Sequence, residues 1–292
     1  MGGVTAFDFM CFGVPCFLMI TGKLQLNKKT YNMSKCLGKV AIPLAFWGTL
    51  FSLMEIVFSK RNFKFDYIFI AISAVLEGKT WAHLWYLYMI IGIYIAIPII
   101  RTVVNNIEFH NVKKIILVLF VFNTVVVDLF KVFIPNESFA ICLPITTQYV
   151  MFILLGWYLD KIQINNMMSL FAFDAFSILL MLVTSFMGFR VDSVQYNDIP
   201  TVLLSVSVFL TFKYVFDFHT SKIMNSISNK SYGIYILHMI PVNLLYKVFH
   251  FNPWNTKMVV LMWVGATAII FLTSALAVWC IQLLPGGKKL LP

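Results

Sequence analysis

Nine apolar runs separated by polar segments constrain this chain more than any other feature of its sequence. They cover approximately residues 6–20, 40–58, 84–100, 115–134, 141–159, 168–189, 199–216, 232–249 and 258–284. A helix that crosses a bilayer needs about 20 mainly apolar residues, with a range of roughly 17–25. In hydrocarbon every backbone N–H and C=O must find a partner within the protein, and only helices and closed barrels achieve that. Barrel strands alternate apolar and polar residues over about ten positions. The runs here are apolar on every side. The sequence therefore predicts an all-α fold, a polytopic transmembrane helix bundle of about nine spans. Loops are short apart from 23–39, 59–82 and 220–231, so residues 1–292 read as a single membrane-embedded domain with no soluble domain appended. Composition agrees: 12% of residues are charged, against about 25% in soluble domains.

The net charge of +10 does not point to nucleic acid, because the lysines and arginines fall in the segments between runs. There they set topology and meet anionic lipid headgroups. Of the 22 basic residues, fourteen lie on one set of alternate segments and eight on the other. The richer set belongs in the cytoplasm, which places the C-terminus there and Met1 outside. Residues 1–8 hold no Lys or Arg, and nothing resembles a cleavable signal peptide. One further leading helix entering from the cytoplasm would complete the topology, so the chain reads as lacking its first span. The five cysteines, Cys11, Cys16, Cys36, Cys142 and Cys280, form no CxxC and no Cys/His metal spacing. They read as small buried hydrophobes, with neither a disulfide framework nor a metal site.

The polar residues at membrane depth carry the functional reading. The stretch Trp81-Ala82-His83-Leu84-Trp85-Tyr86-Leu87-Tyr88 sets an imidazole among aromatic rings at the mouth of a span. Trp and Tyr suit the headgroup belt, and a His beside them faces water or the protein interior. On one continuous helix Trp81, Trp85, Tyr88 and Gly92 form a stripe, with His83 on another face. The imidazole serves as an acid/base group or as a hydrogen-bonded structural residue. His238 is the second candidate: Tyr235 is its i, i+3 neighbour and shares its side with Ser231, and Ser228 or Ser231 reads as the helix N-cap. Glu55, Asp128 and Asp174 lie inside spans, where ionisable groups face protein or water. Glu55, Asp128 and His83 all fall toward the outer half, as one polar pocket or as separate headgroup contacts. His110, His219 and His250 read as solvated. In Gly13-Val14-Pro15-Cys16-Phe17-Leu18-Met19-Ile20-Thr21-Gly22, Pro15 reads as a kink that frees a carbonyl and Gly22 as a terminus. Lys28, Lys29, Lys35 and Lys39 then lead into the next span, as topology signals or as a clamp on phosphates.

The segment Val14-Pro15-Cys16-Phe17-Leu18-Met19-Ile20-Thr21-Gly22, the lysine-rich loop, Ile42-Pro43-Leu44-Ala45-Phe46-Trp47, His83-Leu84-Trp85-Tyr86-Leu87-Tyr88 and Ser231-Tyr232-Gly233-Ile234-Tyr235-Ile236-Leu237-His238, in that order, resemble the bacterial acyltransferase family 3 membrane proteins. The resemblance runs through essentially the whole chain. It implies transfer of an acetyl or other short acyl group from acyl-CoA to a sugar hydroxyl of a cell-surface polysaccharide or lipid-linked glycan, in the bacterial cytoplasmic membrane. It implies acetyl-CoA or another acyl-CoA as donor substrate, no metal, and membrane lipids and a glycan acceptor as partners; nothing specifies an oligomeric state. Two departures stand out. Thr21 occupies the place of the family's usual Ser before Gly22, and the family's leading helix, with its Arg and His, has no counterpart here. His83 is accordingly the catalytic candidate. Glu55, Trp85, Tyr88, Tyr235 and His238 are expected at the acceptor, and Thr21, Lys35 and Lys39 at the acyl-CoA. A glycolipid transporter or flippase with Glu55, Asp128 and His83 as a polar pathway is the competing reading, and an inactive truncated family member the third.

Overall fold

The computed structural model describes residues 10–133, 146–187, 196–216, 221–252 and 258–292. Cys142, His219 and the beginning of the run 141–159 lie outside the described residues. Wherever it is described, each of the nine runs carries a helix. The elements are α1 (Gly13–Leu26), α2 (Met33–Lys60), α3 (Asp66–Leu76), α4 (Trp85–Asn106, entered through a 3-10 turn at Ala82–Leu84) and α5 (Phe109–Phe120). A π-helical turn, Val121–Val125, joins α5 to α6 (Val126–Phe133). Then come α7 (Thr146–Lys161), α8 (Met167–Phe186), α9 (Ile199–Tyr214), α10 (Lys222–Leu237) and α11 (Met239–Asn243), which runs into a π turn at Leu244–Val248. The chain closes with α12 (Val259–Leu283) and α13 (Gly287–Leu290). Among the described residues four helices, Met33–Lys60, Ala82–Asn106, Met167–Phe186 and Val259–Leu283, are long and apolar enough to cross a membrane. The fold is all-α, that of a multi-pass membrane protein.

Two compact units divide the chain: Met1–Tyr31 with Ala96–Phe218, and Asn32–Ile95 with His219–Pro292. In the first, α1 lies against α7, α5 against α7, and α9 against α8 and α1. The α1–α7 pair is a backbone-to-backbone contact. A Cβ on Gly22 would overlap the carbonyl of Ile153, and one on Gly156 would overlap that of Met19. In lipid, helices gain little from burying apolar surface and associate through close packing at small residues. Gly22 is therefore an interior contact of α1 and not its terminus. Pro15 falls in the first turn of α1, directly after a turn at Cys11–Phe12, where its missing N–H removes no hydrogen bond from within that helix.

Where α1 and α7 end, cations close their carbonyls. Arg101 donates to the carbonyls of Gln25 (2.6 Å), Leu26 (3.3 Å), Lys28 (2.6 Å) and Lys29 (3.5 Å). Lys213 Nζ donates to those of Leu159 (2.8 Å), Asp160 (2.7 Å) and Ile162 (2.9 Å). The Asp160 carboxylate ties the two ends together through Lys23 (3.0 Å) and Asn27 (3.0 Å). Positive groups at helix C-termini complement both the unpaired carbonyls and the dipole. Replacing Arg101 by Ala is expected to cost about 1–3 kcal/mol and to loosen the Lys28–Lys29 turn. Trypsin should then cut after these lysines faster than in the parent protein, with Arg101→Lys intermediate because an ammonium lacks the fork of donors. Unchanged cleavage in Arg101→Ala would remove this role.

Acidic residues inside the first unit are also engaged. Asp174 on α8 accepts from Ser207 (2.5 Å) and Thr211 (2.7 Å) of α9. Asp128 on α6 accepts from the backbone N–H of Ile199 (2.8 Å), the first residue of α9. That is helix capping by a distant side chain, since Asp198, at the N-cap position itself, makes no cap bond.

In the second unit α2 packs on α3, α10 on α12, and α13 on α12 and α2. Gly233 on α10 brings the Val278 side chain of α12 close to its backbone. The hydroxyl of Tyr88 donates to the Val75 carbonyl of α3 (2.7 Å), fastening α4 to that short helix. α3 corrects the expectation of a plain loop over 59–82; its eleven residues are too few for a span.

Candidate active site

The site grows from a break in a helix. α10 ends at Leu237 and α11 begins at Met239. Pro241 has no N–H to give the Leu237 carbonyl four residues back, so an otherwise apolar run is interrupted at His238. The last carbonyls of a helix lack intrahelical partners, and two of them are taken by imidazoles. His83 Nε2 lies 3.0 Å from the Ile236 carbonyl oxygen. His238 Nδ1 lies 2.6 Å from that of Tyr235. The hydroxyl of Tyr235 returns across the junction and donates to the His83 carbonyl.

These contacts fix both tautomers. A carbonyl oxygen only accepts, so the ring nitrogen facing it carries the proton. In the neutral ring His83 is thus protonated on Nε2, with its lone pair on Nδ1, and His238 is protonated on Nδ1, with its lone pair on Nε2. His83 Nδ1 is buried and has no hydrogen-bond partner. A buried acceptor left unpaired costs about 1–3 kcal/mol, which makes it the least expected atom in the cluster for a structural histidine.

Aromatic rings hold the imidazole in place. The His83 and His238 ring centroids are 5.2 Å apart and near perpendicular, and His83 stands 5.9 Å from Tyr235. Phe51 of α2 stacks on Trp81 at 4.4 Å and 12°, and its ring lies 6.0 Å from His83. Phe51 is fully buried. Tyr86 touches Tyr235 at 5.8 Å.

The structure thus joins His83, Tyr235 and His238, three residues singled out in the sequence. The expected stripe from Trp81 to Gly92 begins only at Trp85, since Trp81 precedes the helix in extended backbone and belongs with Phe51. Trp85 is partly exposed and packs on Tyr86 at 6.1 Å. Tyr88 is spent on Val75. Glu55 lies on α2 one turn beyond Phe51 and is exposed. Lys35 and Lys39 are exposed in the first turns of α2, whose N-cap Asn32 accepts from Lys35 N–H at 2.9 Å. Thr21, in the first unit, donates to the Phe17 carbonyl of its own helix (2.9 Å). The N-cap of α10 is Ser221, which accepts from Met224 N–H at 3.1 Å. Ser228 and Ser231 lie inside the helix, and the Ser231 hydroxyl turns to the Ser228 carbonyl at 2.8 Å. Of the histidines read as solvated, His110 pairs with Glu108 on the surface (3.1 Å), and His250 is exposed.

Sequence reasoning missed Phe51 and Pro241. Phe51 is one of 29 phenylalanines and carries no signal of its own. Pro241 was legible, three residues after His238, as a helix interruption. Among the described residues, no group of three or more His, Cys, Asp or Glu is placed to hold a metal ion.

A family model described as an acyltransferase domain matches residues 3–282. No curated protein and no solved structure matches the chain.

Proposed function

The chain belongs to acyltransferase family 3, and from that membership we propose that it transfers an acetyl or other short acyl group from acyl-CoA to a sugar hydroxyl of a cell-surface polysaccharide or lipid-linked glycan. The proposed setting is the bacterial cytoplasmic membrane, with the C-terminus in the cytoplasm. One observation carries the reading: the buried, unpartnered lone pair on His83 Nδ1, in a ring whose tautomer is set by the Ile236 carbonyl.

The chemistry follows from that atom. Nδ1 accepts the proton of the acceptor hydroxyl as its oxygen attacks the thioester carbonyl carbon. A C–O bond forms and the carbonyl electrons move onto oxygen, giving a tetrahedral oxyanion. Its collapse breaks the C–S bond, and the sulfur leaves as CoA thiol with the proton returned by the imidazolium. General base assistance of this kind is worth about 10²–10⁴ in rate. Tyr235, holding the His83 carbonyl, keeps the ring in register. His238, whose ring lies beside that of His83, is the proposed second polar group at the acceptor, with Glu55, Trp85 and the Tyr88 oxygen, whose proton goes to Val75, as further proposed contacts. Lys35 and Lys39, exposed in the first turns of α2, are the proposed contacts to the CoA phosphates.

The test uses membrane vesicles bearing the chain, and matched vesicles without it, incubated with acetyl-CoA labelled in the acetyl group. Alkali-labile label in the carbohydrate fraction, dependent on the chain, is the expected result. Translocation of glycolipid across the same vesicles in the absence of any acyl-CoA, with no label transferred, would replace this reading by a flippase.

A further inference from the structure

We propose that Tyr232 is a further catalytic residue, the hydrogen-bond donor to the tetrahedral oxyanion; this rests on the acyl-transfer reading above. The phenolic oxygen of Tyr232 is buried and has no hydrogen-bond partner. An unmade bond of this kind costs about 1–3 kcal/mol, and a phenylalanine would fill the same space without it. On stability alone the hydroxyl is a liability.

Its position gives it a use. Residues three and four apart share a helix face, so Tyr232, Tyr235 and Ile236 lie along one side of α10. That is the side on which the Tyr235 hydroxyl and the Ile236 carbonyl engage His83. Tyr86, three residues after His83, touches the Tyr235 ring, and Tyr232 interacts electrostatically with Tyr94 of α4 and, next, with Tyr86. The chain from His83 into α4 therefore runs along the α10 face, with His83 and Tyr86 beside Tyr235 and with Tyr86 and Tyr94 near Tyr232.

Two orphaned polar atoms thus occur along one helix face, and they are complementary. His83 Nδ1 has a lone pair and no proton; Tyr232 has a proton to donate and no acceptor. They are not bonded to each other. What satisfies both is a ligand that donates at one end and accepts at the other. An acceptor hydroxyl attacking a thioester offers that pair: its proton goes to His83 Nδ1, and the carbonyl oxygen, charged in the transition state, accepts from Tyr232. Donors aimed at developing charge in a dry site are worth about 10²–10³ in kcat each.

The experiment compares Tyr232→Phe with the parent chain, both full-length and in membrane vesicles. Initial rates of label transfer are measured over a range of acetyl-CoA concentrations, and thermal unfolding is followed on the same preparations. The expected result is a fall in kcat of about 100-fold, a KM for acetyl-CoA within about twofold, and a Tm unchanged or raised, as removing an unpaired buried hydroxyl requires. A kcat within about threefold of the parent overturns the assignment. So does a Tm that falls together with kcat, because the hydroxyl would then be structural. A parent chain that transfers no label overturns the acyl-transfer reading and this inference with it, whereas an active parent and an equally active variant overturn the inference alone.

Discussion

His83→Gln should lose acyl transfer by about 10²–10⁴-fold while keeping the fold of the parent. A glutamine amide places N–H donors near where Nε2 stood and retains the bond to the Ile236 carbonyl. It offers no basic lone pair at the position of Nδ1. A histidine present only to tie the 3-10 turn to α10 would be rescued by that substitution; a general base would not. His83→Ala should show the same kinetic loss with an added stability cost, because the Ile236 carbonyl is then left without its donor. The comparison is made on initial rates of labelled acetyl transfer at matched protein and on thermal unfolding. Activity in His83→Gln within a fewfold of the parent removes His83 from the chemistry and leaves the family assignment untouched.

Gly156→Ala should be as damaging to the fold as His83→Gln is to the reaction. The added Cβ would overlap the Met19 carbonyl, and the obstruction is backbone, which cannot rotate aside as a side chain does. α1 and α7 must then separate along their contact, at an expected cost of about 3 kcal/mol or more. Gly22→Ala meets the Ile153 carbonyl in the same way. Because either change alone parts the same two helices, the double variant should cost little more than one of them, a departure from additivity. Gly92→Ala is the control: nothing lies within 4 Å of a Cβ there, and alanine is the better helix former by about 1 kcal/mol. Thermal unfolding in detergent reads all four. A Gly156→Ala protein with the parent's Tm would mean that α1 and α7 do not meet on their glycines.

Most of the helices were legible because their signal is local. An apolar run of span length in lipid has one outcome, and every described run took it. The misses have the same physical origin in reverse. α3 hid among charged neighbours because eleven residues make no span. The first turns of α10 were read as loop because its early residues are polar, which moved the expected cap from Ser221 to Ser228 or Ser231. The run 232–249 looked continuous, although Pro241 removes one N–H and that is enough to stop α10 at His238. Gly22 was read as a stop, when what it provides is a surface on which another backbone can lie.

The site was half legible for a related reason. Spacing alone placed Tyr235 and His238 on neighbouring turns, and the aromatic surroundings marked His83. Nothing local joins His83 to α10, from which about 150 residues separate it. Nor does sequence distinguish a histidine whose second nitrogen is satisfied from one whose second nitrogen is not. That distinction came from accounting for the last carbonyls of a broken helix, two of which the imidazoles occupy.

The central claim is that His83 holds its proton on Nε2 and presents a free lone pair on Nδ1. Nitrogen-15 NMR of histidine-labelled protein in lipid nanodiscs measures this directly, with the His83 signals assigned by their loss in His83→Gln. The expected result is a neutral ring with a protonated Nε2 and an unprotonated, non-hydrogen-bonded Nδ1. A proton on Nδ1, or an imidazolium at neutral pH, would contradict it and leave the site without its base.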